Sequence, residues 1–110
     1  MTLLMVALGA AVGAPLRFAW GHLADGHLPL GTLLVNTLGC ALLGVFSGMA
    51  LGGDTLALLG VGFCGALTTW SGLAVQTVER GPRTGGVYLL ATLVLGLGAC
   101  FLGFLVGSLF

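Results

Sequence analysis

Charge is the scarcest ingredient of this 110-residue chain, which holds three arginines, no lysine and three acids, 5% of the sequence, against 58% hydrophobic residues. Its mean hydropathy is +1.20. A water-soluble chain has roughly a quarter of its residues charged, so too little polar surface is present to coat a globule. The medium it suits is lipid. The net charge of zero and the absence of lysine exclude a nucleic-acid partner, because phosphate binding rests on many cationic side chains. Asp25, Asp54, Glu79, His22 and His27 fall at or near the expected loops. They are too scattered for a paired-carboxylate centre or a metal cluster, so the chain does not read as an enzyme. Cys40, Cys64 and Cys100 stand singly inside apolar runs; an odd count without CxxC spacing excludes a disulfide framework and a zinc site, and they read as small packing residues. No basic stretch precedes the first apolar run, so the N-terminal segment reads as a retained span and not a cleaved signal.

What is present in quantity is apolar sequence. Each helical span uses about 20 apolar residues, so four take roughly 80 and leave about 30 for loops. The runs predict spans at residues 3–20, 31–51, 56–78 and 87–109 of a single four-span membrane domain. Gly21 to Pro29 reads as the first loop, Gly52, Gly53 and Asp54 as a tight turn, and Glu79 to Arg83 as a breaker. The runs are twice a strand's length and do not alternate, so they are helices and not barrel strands.

Glycine is the second anomaly: 21 residues, many inside the spans. In lipid no hydrophobic drive brings helices together, and small residues that let backbones approach supply packing instead. Gly9 and Gly13, then Gly44, Gly48 and Gly52, then Gly103 and Gly107 repeat at GxxxG spacing. Such strips serve close packing within one subunit or a dimer interface. The loops after the first and third spans share a side, and Arg17, Arg80 and Arg83 all belong to it. The positive-inside rule places that side in the cytoplasm and both termini outside.

Polar side chains at membrane depth are costly and mark pathways. Thr32 and Asn36 are four apart and share a helix face; Asn36 reads as interhelical glue or as an ion-coordinating donor. Residues 65–72 concentrate glycine and hydroxyls near the middle of the third span. A break there frees backbone carbonyls, which suit a cation. Otherwise Thr68 and Thr69 bond back to their own helix. Tyr88 and Thr92 are one turn apart; Tyr88 reads as an interfacial belt residue or, with Thr92, as a line of hydroxyl donors for an anion that must shed water.

Together these features resemble the Fluc (CrcB) family of bacterial fluoride channels, across essentially the whole chain. The similarity rests on GAPLRFAW at 13–20, PLGTLLVNTLGCALLG at 29–44, GFCGALTTWSGLAVQTVE at 62–79 and the Tyr88 to Thr92 step. It implies an all-α integral membrane fold with four transmembrane helices per subunit, the third broken near its middle, in an antiparallel dimer of dual topology. The implied function is passive, selective efflux of fluoride across the bacterial inner membrane, which reduces fluoride toxicity. A structural sodium ion, not transported, would be held at the dimer centre by the backbone carbonyls of Gly65 and Thr68. The fluoride path would fall on Asn36, Trp70, Ser71, Tyr88 and Thr92, with Arg17 in a vestibule and Glu79 structural.

Two departures accompany the resemblance. Where the family shows two Phe three residues apart, this chain has Trp70 and Leu73, so one aromatic box lacks its ring; the next polar-track position is Gly96. The one-sided arginines are unlike a dual-topology subunit and fit one partner of a heterodimer of paralogues, so homodimer and heterodimer both stay open, as does a non-conducting partner subunit. A small multidrug-resistance exporter has a similar length, but its proton coupling needs a membrane-embedded carboxylate that these spans do not offer. A purely structural subunit would tolerate loss of the hydroxyls at Thr68, Thr69 and Thr92.

Overall fold

The computed structural model describes residues 1–24 and 30–110, so Asp25, His27 and the rest of the expected loop at 25–29 lie outside the described residues. All regular structure among the described residues is helical. Helix α1 (Thr2–Ala24) is followed by α2 (Leu30–Gly48), then by a third span made of α3 (Gly53–Leu56), a π-helical stretch (Ala57–Cys64), α4 (Gly65–Leu67) and α5 (Trp70–Glu79), and last by α6 (Gly81–Gly107). Four helical spans are long and apolar enough to cross a membrane. The longest dimension, 41 Å, exceeds the roughly 30 Å hydrocarbon core of a bilayer. This is the architecture of a multi-pass membrane protein.

Much of its interior is small or polar, with Val35, Leu67 and Leu73 also buried, and its exterior is rich in large apolar residues. On α6 the buried positions are Gly85, Tyr88, Thr92, Gly96, Gly103 and Gly107, whereas Val87, Leu90, Val94, Leu97 and Phe101 are exposed. Lipid explains the inversion, since apolar side chains gain little by turning inward there while glycines gain contact. A Cβ at Gly44 would collide with the backbone of Cys100, one at Gly48 with Phe104, and one at Gly103 with Ala41. These contacts advance together along both helices, so α2 and α6 are parallel neighbours. One seam then carries Thr32 with Tyr88, Asn36 with Thr92, Cys40 with Gly96, and the glycine contacts beyond. Gly9 and Gly13 of α1 press in the same way on the backbone of Phe63 in the third span. The glycine strips are thus spent on packing within the chain. Gly52 is not part of one, for nothing lies within 4 Å of its would-be Cβ.

Helix ends differ from the sequence reading for identifiable reasons. The first helix continues past residue 20 to Ala24, with Pro15 inside it; transmembrane helices tolerate such a proline because neighbours re-satisfy the freed backbone. The second ends at Gly48 and not at 51. Leu51 donates back to the Phe46 carbonyl at 3.2 Å and Ala50 to Ser47 at 3.0 Å, a paired C-terminal closure with Ala50 at φ 58°. Glycine normally takes that left-handed position, so sequence alone points to the glycines two and three residues on as the turn. The fourth span begins at Gly81 and not at 87, because Pro82 lies in the first turn, where its missing N–H costs nothing. The third span does break. Leu67 ends α4, and Thr68 (φ −87°, ψ 159°) and Thr69 (φ −145°, ψ 123°) are extended before α5 restarts at Trp70.

Candidate functional site

Two extended residues in the middle of a membrane span expose peptide groups that cannot be left unpaired. Asn36 of α2 meets them. Its Oδ1 accepts from the Thr69 N–H at 2.8 Å and its Nδ2 donates to the Thr69 carbonyl at 3.3 Å. Because Thr69 must donate to an oxygen, this pairing fixes which way the carboxamide points. One Nδ2 hydrogen is used, and the second remains for the groove that Asn36 lines. Asn36 therefore glues α2 to the break.

The threonines divide the ends of the break between them. Thr68 donates its hydroxyl to the Cys64 carbonyl at 3.0 Å, closing the helix before the break, and Thr69 Oγ1 caps α5 by accepting from the Gly72 N–H at 3.0 Å. Back-bonding thus accounts for Thr68 but not for Thr69, which caps the next helix. A cap of this kind contributes about 1 kcal/mol. Thr69→Ala is expected to lower the thermal midpoint of the purified protein in detergent by a few degrees while Thr69→Ser stays near wild type.

The diverted donors bear on the two carbonyls singled out for a cation. In an unbroken helix the Thr69 N–H would bond to Gly65 and the Gly72 N–H to Thr68. Here the first goes to Asn36 and the second to the Thr69 side chain. The carbonyls of Gly65 and Thr68 have lost their helical donors, and Gly65 is exposed on the outer face of the span. Uncharged oxygens of this sort suit a hard monovalent cation. Opposite them the N-terminal end of α5 brings positive dipole potential to the break.

A groove of about 280 Å³ runs beside it, lined among others by Asn36, Thr69, Trp70, Leu73, Thr92 and Gly96. Asn36 and Thr92 are buried, while Trp70 is 69% exposed. Of the expected path residues, Asn36, Trp70 and Thr92 come together here. Ser71 does not line this groove; it is exposed and lies 3.4 Å from Thr69 Oγ1. Tyr88 lines a separate groove of about 360 Å³ that also holds Arg83. It is 7% exposed, two turns inside α6, which a belt residue would not be. Arg17 is half-buried on the α1 face that carries Gly9 and Gly13, one turn beyond the latter. Glu79 ends α5, its carboxylate 4.0 Å from Arg80 and largely exposed, a pair worth about 0–1 kcal/mol.

Gln76 is the residue that sequence reasoning missed. Its Nε2 donates to Thr32 Oγ1 and its Oε1 accepts from the Tyr88 hydroxyl, each at 3.2 Å, joining α2, α5 and α6. The available signal was its position, a neutral amide seven residues past the break in a span with no other long polar side chain before Glu79. Thr92 continues this network, donating to the Tyr88 carbonyl at 2.9 Å. No carboxylate lies along it among the described residues, the acids being Asp54 in the first turn of α3 and Glu79 at the end of α5.

Comparison with known proteins identifies relatives of the chain. The chain matches the family described as CrcB-like protein, Camphor Resistance (CrcB) across residues 4–104. It is 46% identical to the fluoride-specific ion channel FluC 2 of Rhodococcus jostii, covering 94% of this chain and 96% of that one. It is 38% identical to FluC 1 of Streptomyces avermitilis (94% and 93% covered) and to FluC 1 of Streptococcus pneumoniae (96% and 99%). A match of that extent, over a four-span fold whose third helix breaks beside a buried asparagine, establishes that the chain belongs to the CrcB family.

Proposed function

We propose that this protein is a fluoride channel that lets fluoride leave the bacterial cytoplasm passively through the inner membrane. The observation that carries the reading is the groove beside the break, where Asn36 offers an N–H donor and Thr92 a hydroxyl among apolar walls. A small anion entering it exchanges water for these groups and the Trp70 ring edge.

In the resting structure the hydroxyls are engaged internally: Thr92 on the Tyr88 carbonyl, Tyr88 on Gln76, Thr68 on Cys64. To serve an anion each must give up an existing bond, so the net gain is small. Weak binding at several successive points is what conduction needs, since an ion held tightly does not leave. Tyr88, Gln76 and Thr92 carry the path from the Arg83 groove toward Asn36, and the half-buried Arg17 adds positive potential that gathers anions.

The exposed outer face at Gly65 and Trp70 supports an antiparallel dimer in which two broken spans cross. The carbonyls of Gly65 and Thr68 would hold a structural sodium ion there, which would balance carbonyl dipoles that the break deprives of their helical donors. Homodimer and heterodimer differ in what they ask of this chain. The arginines confined to one side and the ringless Leu73 favour a partner of fixed orientation, and the relatives' names carry the numbers 1 and 2.

The test is efflux from liposomes containing the purified chain alone. Fluoride should discharge rapidly with chloride retained, and removal of sodium should slow it. Equal passage of the two halides would overturn the assignment, whereas discharge seen only after co-reconstitution with a paralogue would identify the chain as half of a heterodimer.

A further inference from the structure

We infer that Cys40 is a further pore-lining residue whose thiol stands in for the side chain that α6 lacks at Gly96. The inference deepens the fluoride-channel reading and rests on it. Along the inward face of α6, Tyr88, Thr92 and Gly96 follow at one-turn steps, and only the first two carry a hydroxyl. Along the facing side of α2, Thr32, Asn36 and Cys40 follow at the same step. The polar line on α6 therefore stops one turn before the line on α2 does.

The geometry at the gap is specific. A Cβ built on Gly96 meets Cys40 Sγ at 3.4 Å and no other atom within 4 Å among the described residues. Gly96 differs in this from Gly44 and Gly103, where backbone forbids a side chain. Nothing steric requires glycine at 96, and the space above it is bounded by the thiol from across the seam. Cys40 lines the groove with Asn36, Trp70 and Thr92, and also an adjoining groove of about 400 Å³ with Cys64, Gly65 and Thr68. It is a free, half-buried thiol at the junction of the two. An S–H group is a weak donor on a long bond. Such a group adds one more shallow resting point for an anion beyond Asn36, in keeping with release.

The full chain in liposomes provides the test. Cys40→Ala should lower fluoride efflux about three- to tenfold, the equivalent of one modest hydrogen bond. Cys40→Ser should stay near wild type, and Cys40→Ala/Gly96→Ser should recover most of the loss by returning a donor from the opposite helix. Cys40→Ala/Gly96→Ala, which returns volume without a donor, should not recover, and this separates a donor role from simple packing. Efflux unchanged in Cys40→Ala, or no recovery in Cys40→Ala/Gly96→Ser, overturns the inference. A wild-type chain that passes no fluoride alone or with a paralogue counts instead against the channel reading.

Discussion

Replacing Asn36 by alanine is expected to reduce fluoride efflux at least about tenfold and to loosen the third span in the same stroke. The substitution removes the donor facing the groove and also both hydrogen bonds that Asn36 makes to the main chain of Thr69. Thr69 is half-buried and each lost hydrogen bond costs about 0.5–1.5 kcal/mol, so the break loses roughly 1–3 kcal/mol of support against a total stability of about 5–15 kcal/mol. Asn36→Asp separates the two roles. A carboxylate still accepts from Thr69 but cannot donate to its carbonyl, and its charge repels the permeating anion. Flux should fall further than in the alanine variant while the Thr69 amide stays engaged. Near-wild-type flux in both variants would remove Asn36 from the path.

The second large effect concerns the seam. Gly44→Val and Gly103→Val should abolish the folded protein, read as loss of a monodisperse peak in detergent. At both positions even the first carbon meets a main-chain carbonyl, and two helix backbones would have to separate along their length. Overpacking typically costs about 1–3 kcal/mol, and a rigid obstacle lies at the upper end of that range or above it. Gly98→Ala is the matched control. Nothing lies within 4 Å of its would-be Cβ, so the same helix should accept it with unchanged elution and flux.

Much of this architecture was readable from composition, because lipid imposes a simple rule on length and polarity. Four spans and the break among glycines and hydroxyls followed from it, whereas the grouping of Asn36, Trp70 and Thr92 is what the family resemblance implies. Boundaries were less legible. Alanine at position 50 occupies a conformation usually left to glycine, and Pro82 opens a helix where a proline more often ends one. Both are local choices decided by the neighbouring turn and not by hydropathy. The π-helical stretch at Ala57–Cys64 has no compositional mark at all.

The site was harder to read for a different reason. Spacing shows which residues share a face, but not which helix they face. Asn36 was recognised as polar at depth, yet that it would pair with the main chain of Thr69 depends on how α2 sits against the third span. Gln76 is not legible in the sequence because an amide near a helix end looks like surface until α6 covers it. Tyr88 reads as interfacial only if the fourth span begins at 87; starting it at Gly81 carries the residue two turns inward.

Backbone chemical shifts of Leu67, Thr68, Thr69 and Trp70, recorded on the protein in lipid bilayers, test the central claim most directly. Extended values at both threonines between helical neighbours, with the Thr69 amide slow to exchange, are the predicted result. Helical values running without interruption from Leu56 to Val78 would contradict it.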